Sequence, residues 1–454
     1  MKSKLLVLFV VLLSAGPLFS QTINLRFSAY FYSWQRIDSL DQVSPPKTTH
    51  IRGFQNVLFD VNKEQWGFNT LFQTEEDVIH RIDKGFNYRF YNIYFRGTNL
   101  FNMVDFKLGR QYVFAGVGKG AVDGLYIKVK AGKNKEYQTA VYGGYTTPYD
   151  YEFNKYPKLK ENYSVGGQFS YFGVKDLVAS VSYLNRRRIL EPYDALRFDS
   201  LLNVYSTVIV PDSRAEQTAG LDFTYTFKNR YNFFGKAYYD IYIRKLYRGE
   251  FNASANLSKK VTVSVGYIYH LPQISYNSIF WVFEHEKTME VEGGVDYKLP
   301  KGYNLYARVS NVFYSAADAE DGTTNNVIAN DKNYALRITG GFSHPNYGLS
   351  YVKYTGFAGE SDGVNGYYSR EILKDMLSTT VSLGYSSYRL GEFTTAADGS
   401  TISKLNQLAA TLGFTYRPTP QISVDVQGQF AKNEIYKSDA RFLIGFNYWL
   451  FKKF

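Results

Sequence analysis

The sequence has no cysteine and only 12 prolines and 4 methionines among its 454 residues. Without cysteine the chain cannot form a disulfide, bind zinc through thiolates, attach a c-type haem covalently or carry a lipid on a cysteine. Long apolar runs are also missing. The one clear run, Leu5 to Leu13, lies near the start and is too short to span a bilayer as a helix. No later segment predicts a transmembrane helix.

The first twenty residues have the composition of a secretory signal peptide. Lys2 and Lys4 precede the apolar run, and small residues follow as far as Ser20. We predict cleavage after Ser20, which leaves residues 21–454 as one domain. The net charge of +11 would otherwise suggest a nucleic-acid partner. Export and the scattered positions of the basic residues argue against that and favour a cationic pore or contact with anionic lipid headgroups.

Aromatic residues are abundant, with 42 Tyr and 35 Phe, and 45% of all residues are hydrophobic. They are finely interleaved with polar residues, which favours alternating strands over buried helices. Many of the alternating segments are about ten residues long, which suits a tilted strand crossing a bilayer better than the shorter strands of a soluble sandwich. Tyr and Phe recur at strand ends, as expected of interfacial girdles.

The last fifteen residues show this alternation most clearly. Phe442, Ile444, Phe446, Tyr448, Leu450 and Phe454 share one parity, and Arg441, Leu443, Gly445, Asn447 and Trp449 share the other. This ending resembles the closing strand of bacterial outer-membrane β-barrels. The resemblance implies that Phe446, Tyr448, Leu450 and Phe454 form the signal that the barrel assembly machinery reads. An edge strand of a soluble sandwich is the alternative.

Connections between the alternating segments are short and long in turn, as in outer-membrane barrels with short periplasmic turns and long external loops. We predict an all-β protein, a transmembrane antiparallel up-and-down barrel of about 22 strands (range 18–22) in the bacterial outer membrane, with both termini periplasmic. The first strand begins directly after the signal peptide, which predicts that no plug domain precedes the barrel.

One hairpin carries a second resemblance. Gly109-Arg110-Gln111 and, further along, Asp123-Gly124 resemble a hairpin of bacterial porins and alginate-export-type barrels. In those families an Arg and an Asp sit at the pore, which implies that role for Arg110 and Asp123. Arg110 falls on the apolar parity of its strand. Either a β-bulge turns it inward or the lipid-exposed part of the strand has already ended.

The polar parity supplies the other candidates for a pore lining. With Arg110 and Asp123, the predicted pore-lining residues are Asp105, Lys107, Lys128, Lys130, Arg186, Lys236, Asp240, Arg244, Glu290, Glu292, Asp296, Arg308 and Arg337. A wall of salt bridges that merely tolerates water and a wall that selects solutes are both compatible with this set. If the wall selects, its small cationic excess favours anions.

The sequence predicts no enzyme, no metal site and no cofactor. The five histidines are dispersed, and no spacing singles out a catalytic triad. Glu284-His285-Glu286 and the acidic group Asp318, Glu320, Asp321 and Asn325 miss known metal-site spacings and are better explained as solvated loops.

Two functions remain. The first is a porin-like channel for passive diffusion of small solutes, which are anions if the wall selects, or of oligosaccharides. The second is a sheath that encloses a partner protein, as in porin–cytochrome conduits or export complexes, because 22 strands enclose a wide bore. In the first case the long loops, chiefly 187–213, should fold inward. In the second a lumen-occupying or periplasmic protein should fill the bore. The oligomeric state stays open.

Overall fold

The computed structural model describes residues 21–38, 49–79, 85–153, 156, 158–189, 192–198, 203–210, 216–273, 287–314, 334–357, 359–390, 404–433 and 436–454. The predicted signal peptide (1–20) and both acidic loop groups, at 284–286 and 318–325, lie outside these residues. In the described part of the chain no helix is long and apolar enough to cross a membrane.

Strands dominate the fold, with a single 3₁₀ turn at Pro300–Gly302 among the described residues. In chain order the strands are β1(Gln21–Asp38), β2(Thr49–Lys63), β3(Trp66–Ile79), β4(Asn87–Leu100), β5(Val104–Ala115), β6(Gly118–Ala131), β7(Tyr137–Thr146), β8(Asn162–Tyr171), β9(Leu177–Arg188), β10(Tyr193–Phe198), β11(Val204–Ile209), β12(Glu216–Phe227), β13(Tyr231–Asp240), β14(Lys245–Asn256), β15(Val261–His270), β16(Thr288–Lys298), β17(Asn304–Tyr314), β18(Tyr334–His344), β19(Tyr347–Gly356), β20(Gly359–Leu373), β21(Leu377–Leu390), β22(Leu405–Thr419), β23(Ile422–Lys432) and β24(Tyr436–Lys453).

Twenty-two of these strands form one closed antiparallel sheet, in which each strand pairs with its neighbours in the chain. β9 pairs with β12, because β10 and β11 form a separate two-stranded hairpin in the connection between them. The sheet closes where β1 pairs with β24, from Thr22 opposite Lys453 to Asp38 opposite Tyr436. The predicted up-and-down barrel and its strand number of about 22 are therefore confirmed.

The two faces of the wall differ as the alternation predicts. In β9, Val181 and Tyr183 are 50% and 41% exposed on the outer face, whereas Ser180 and Ser182 point inward. In β24, Phe442, Ile444 and Phe446 are exposed on the outer face. A closed sheet that shows apolar side chains outside and polar side chains inside is the architecture of a transmembrane barrel.

The connections differ between the two ends of the barrel. At the end that carries both termini they range from two residues (64–65) to five residues (132–136). At the other end they include 147–161, 189–215, 271–287 and 315–333, although 116–117 and 357–358 are also very short. The turn between β13 and β14 is 241–244. Three apolar residues at 241–243 extend the apparent strand pattern beyond Asp240.

The seam between β1 and β24 can be tested with engineered cysteines, because the chain has none of its own. Ala29 lies opposite Phe446, so Ala29→Cys with Phe446→Cys should form a disulfide under mild oxidation. The control pair, Ala29→Cys with Ile444→Cys, is offset by two residues and should stay reduced, because its Cα atoms are about 7 Å apart or more. Mobility on non-reducing gels distinguishes the two pairs. Equal cross-linking would contradict the register.

Candidate functional site

The β5–β6 hairpin leaves the barrel wall near its upper end, the end remote from the termini. Pairing of β4 with β5 stops at Ile93 opposite Arg110, and pairing of β6 with β7 stops at Val122 opposite Thr146. Beyond these points β5 and β6 pair only with each other, up to Ala115 opposite Gly118. The departure begins at Gly109, whose φ of 125° and close approach to the Ile93 backbone leave no room for a Cβ.

The tip of this hairpin lies against the inner wall. The Val117 amide donates a hydrogen bond of 3.0 Å to Ser182 Oγ on β9, and Val117 also packs closely on Gly220 of β12. The contact forms a small apolar core inside the barrel, made of Val113, Ala115, Val117, Val122, Tyr142, Leu184 and Tyr238. The first four of these residues belong to the hairpin, and Tyr142, Leu184 and Tyr238 lie on β7, β9 and β13 of the wall. The hairpin therefore covers that sector of the wall and narrows the lumen.

Arg110 anchors the base of the hairpin. Its side chain is 0% exposed and forms a bidentate pair with Asp123, with Nε–Oδ1 at 2.7 Å and Nη2–Oδ2 at 2.9 Å. Its remaining contacts belong to β4 or to the connection after β7: Phe90 O at 3.1 Å, Tyr151 O, Glu152 O at 3.2 Å, the Tyr156 hydroxyl at 3.1 Å and the Phe153 ring at 4.1 Å. Arg110 therefore contacts no solvent in the lumen and joins three segments of chain.

The bridging segment (147–153) closes the gap that the hairpin leaves in the wall. At one side Thr147 N donates to Ala121 O at 3.2 Å, and at the other Phe90 N donates to Tyr151 O at 3.1 Å. Just beyond the segment, the Tyr156 hydroxyl donates to Asp123 Oδ2 at 2.7 Å. Burial and the hydrogen bond to Asp123 raise the pKa of Tyr156 to about 12, so the hydroxyl keeps its proton at neutral pH.

Most charged side chains of the lumen are paired. Lys130 and Lys128 lie 2.7 and 3.5 Å from Asp105, and Lys236 lies 3.1 Å from Glu250. On the facing wall each contact is 3.4 Å: Arg308 with Asp296, and Arg337 with Glu290 and Glu292. Arg186 bonds Glu216 and also donates to Lys119 O of the inward hairpin.

Lys107 differs from these residues. Within the described residues it makes no ion pair, and its Nζ lies 5.1 and 5.7 Å from the ring centres of Tyr94 and Tyr126. It projects from the inner face of β5 below the point where the hairpin departs. The nearby carboxylates are engaged, Asp105 by Lys128 and Lys130 and Asp60 by Arg96. This sector of the wall therefore has a local cationic excess.

Two further candidates do not lie on the open wall. Asp240 is 8% exposed at the end of β13, where it accepts hydrogen bonds from the Tyr242 and Ile243 amides. Arg244 lies in the following turn with φ at 54°. In the described residues no three His, Cys, Asp or Glu side chains are grouped to hold a metal ion.

The element that docks on the inner wall is the β5–β6 hairpin. The sequence predicted that 187–213 would fold inward; in the described part of that range, β10 and β11 pair only with each other, and Leu196 and Val208 are 73% and 60% exposed. The docking residues Ser182 and Gly220 are ordinary small residues on the inward parity and give no signal in the sequence. In the sequence, Gly109 at the start of the hairpin and Gly116 at its tip were the only indication that this segment leaves the wall.

Loss of the Arg110 side chain should destabilise the barrel strongly. Arg110→Ala leaves the Asp123 carboxylate buried without its partner, and we expect a loss of about 3–5 kcal/mol in the free energy of unfolding. The matched control is Arg337→Ala, whose pair is 49% exposed on the Arg side, and it should cost at most about 1 kcal/mol. Denaturant titration of both variants in lipid vesicles measures the difference. Equal losses would contradict the anchoring role.

Comparison with known proteins supports the fold alone. No protein-family model and no curated protein matches the chain. Among solved structures, the siderophore receptor PirA from Pseudomonas aeruginosa aligns with a TM-score of 0.54 and 12% identity, over 93% of this chain and 80% of that chain. OccAB4 from Acinetobacter baumannii aligns over 95% and 98% of the two chains with a TM-score of 0.44 and 11% identity. The P pilus usher translocation pore PapC aligns over 94% and 99% with a TM-score of 0.45 and 8% identity. At these identities the likeness extends to a large barrel and not to an activity.

Proposed function

We propose that the chain is a porin-like channel of the bacterial outer membrane, through which small hydrophilic solutes diffuse passively. The observation that carries this proposal is the inward β5–β6 hairpin. A 22-strand sheet encloses a bore wide enough to need a plug or a constriction. The hairpin is built into the wall, is anchored by Arg110 and docks on β9, β12 and β13, so it narrows the bore.

The outer face supports the proposed membrane location. Near the upper end of the barrel, tyrosine hydroxyls on the outer face bond polar side chains of a neighbouring strand: Tyr163 with Asn185, Tyr351 with Asp362 and Tyr385 with Asn406. Such residues suit the boundary between hydrocarbon and headgroups. The short turns at the end with both termini favour a periplasmic position for that end.

The last strand supports assembly in the outer membrane. Phe446 is 38% exposed on the outer face of β24, and Phe454 is 47% exposed at the chain end. With Tyr448 and Leu450 they form the signal that we propose the barrel assembly machinery reads. Outer-membrane lipid is then the partner of the outer face.

The lumen suggests which solutes pass. Paired charges leave a weak field over most of the wall, whereas Lys107, Lys128, Lys130 and Arg96 exceed their acidic neighbours below the hairpin. This excess favours small anions over cations at that height of the lumen. Other parts of the wall are uncharged, which suits neutral solutes such as oligosaccharides.

The alternative function, a sheath around a partner protein, is less well supported. A sheath needs its bore open to receive a partner, but the hairpin already occupies the sector of the lumen in front of β7–β13. A channel with its own constriction should purify as a single component, whereas a sheath should retain its partner at a fixed ratio.

Conductance in planar bilayers tests the channel. Replacing 111–122 by Asn-Gly joins Arg110 to Asp123 through a two-residue turn and removes the constriction, so single-channel conductance should rise. Deleting β10–β11, which forms a separate two-stranded sheet and pairs with no strand of the wall, is the matched control and should leave conductance unchanged. Absence of conductance in the unmodified protein would contradict the function. Equal conductance with and without 111–122 would contradict the role of the hairpin.

A further inference from the structure

A cavity of about 330 Å³ lies on the wall of β17–β22, roughly across the lumen from the docked hairpin. It follows two adjacent rows of inward-facing residues in the strand register. One row runs Ser343, Gly348, Tyr367, Ser382 and Thr411, and the other runs Tyr306, Gly341, Ser350, Asn365, Gly384 and Ala409. The wall is recessed at this point because glycine and alanine, which have little or no side chain, alternate there with larger residues.

Tyr367 provides an aromatic platform beside this cavity. A Cβ added at Gly348 would lie 2.5 Å from Cε1 and 3.0 Å from Cζ of Tyr367, so the ring rests directly on the glycine backbone. Its hydroxyl donates to His344 O at 2.9 Å, which holds the ring in this position. The ring is 39% exposed. One face therefore covers the wall, and the opposite face is presented to the lumen.

Tyr306 bounds the cavity on the side of β17. Its hydroxyl would lie 2.9 Å from a Cβ at Gly341, so this ring too extends over a glycine of the next strand. Beyond it, Arg308 is paired with Asp296 and lies 5.5 Å from the Tyr306 ring centre. The nearest cation on this side is thus neutralised by its carboxylate.

Between the two rings the lining is uncharged and combines polar side chains with Phe342, Leu349, Leu383 and Ala409. Ser343, Ser350, Asn365, Ser382 and Thr411 supply hydroxyl and amide groups, and no Asp, Glu, Lys or Arg lines the cavity. Hydroxyl and amide groups can both donate and accept hydrogen bonds. Asn365 leans over Gly384, at 2.6 Å from where a Cβ would stand, and it is exposed to the lumen.

We propose that this cavity binds a neutral saccharide. The aliphatic C–H face of a pyranose ring matches the open face of Tyr367, and its hydroxyls match the Ser, Thr and Asn groups around it. An anion would find no cation there, and an apolar solute would leave these polar groups unsatisfied. A volume of 330 Å³ suits a mono- or disaccharide unit. The inference rests on the proposed channel function and names one class of solute for it.

A second platform lies towards the seam of the barrel. A Cβ at Gly445 of β24 would stand 2.8 Å from Cδ1 and Cε1 of Tyr30, so the Tyr30 ring also lies flat on the inner wall. Its hydroxyl donates to Asn447 at 2.9 Å. The inward residue of β23 opposite Gly445 is Asp425, whose carboxylate accepts a hydrogen bond of 2.9 Å from Asn447. A saccharide chain longer than two units would therefore meet a second ring beside a hydrogen-bonded carboxylate further along the wall.

Equilibrium dialysis of the purified protein with radiolabelled maltotriose tests the site directly. The detergent must have a polyoxyethylene headgroup, because a maltoside would itself compete. We expect saturable binding, weakened about tenfold or more by Tyr367→Ala. Tyr367→Phe, which keeps the ring, should retain most of the binding. The control is Tyr368→Ala, whose side chain lies on the outer face, and it should bind as the unmodified protein does.

Charged and acyclic probes complete the experiment. Glucuronate and a polyethylene glycol of similar mass should bind much more weakly than maltotriose. No saturable maltotriose binding, or equal binding by Tyr367→Ala, would overturn the proposal, as would equal binding of the acyclic probe. Conductance of the same preparations separates the two proposals. A conducting channel that does not bind maltotriose removes the site alone, and a binding barrel that never conducts removes the channel.

Discussion

The requirement that every backbone N–H and C=O find a partner governs this structure. A sheet that crosses hydrocarbon can meet it only by closing on itself, since an open edge would leave a row of unsatisfied groups. Here the closure is the pairing of β1 with β24, the first and last strands of the described chain. Once the sheet is closed, alternation places apolar side chains on the outer face and polar side chains in the lumen. The position of each lumen residue then follows from the strand register.

The β5–β6 hairpin departs from that rule locally, and the structure compensates for it. When the hairpin leaves the wall, β4 loses its β5 partner beyond Ile93, and β7 ends at Thr146, opposite Val122. The bridging segment (147–153) replaces part of the ladder through Thr147 and Tyr151, and the Arg110 guanidinium satisfies the carbonyls of Phe90, Tyr151 and Glu152. A buried cation is tolerable because Asp123 neutralises it. Arg110 thus serves three backbone carbonyls at the point where the hairpin leaves the wall.

The lumen is divided into sectors of different chemistry. The docked hairpin covers β7–β13, paired charges line β14–β18, and hydroxyl and amide groups line β19–β22. Below the hairpin, Lys107 gives β5 a local cationic excess. A solute on its way through the barrel would meet a field on one side and a hydrogen-bonding surface on the other.

The sequence alone determined the strand class, a strand count of about 22 and, for most strands, which side chains share a face. Those features depend on a period of two along the chain, which is a local property. It also marked Gly109, Arg110 and Asp123 as exceptional, because Arg110 breaks the parity of its strand. Only the tertiary structure decided what the exception does. Arg110 keeps its outer parity and is buried because a segment forty residues later in sequence crosses over it. The docking of Val117 on Ser182 and Gly220, and the flat Tyr367 ring on Gly348, are likewise contacts between separate strands. They depend on the register and curvature of the closed sheet, and no period along one strand encodes them.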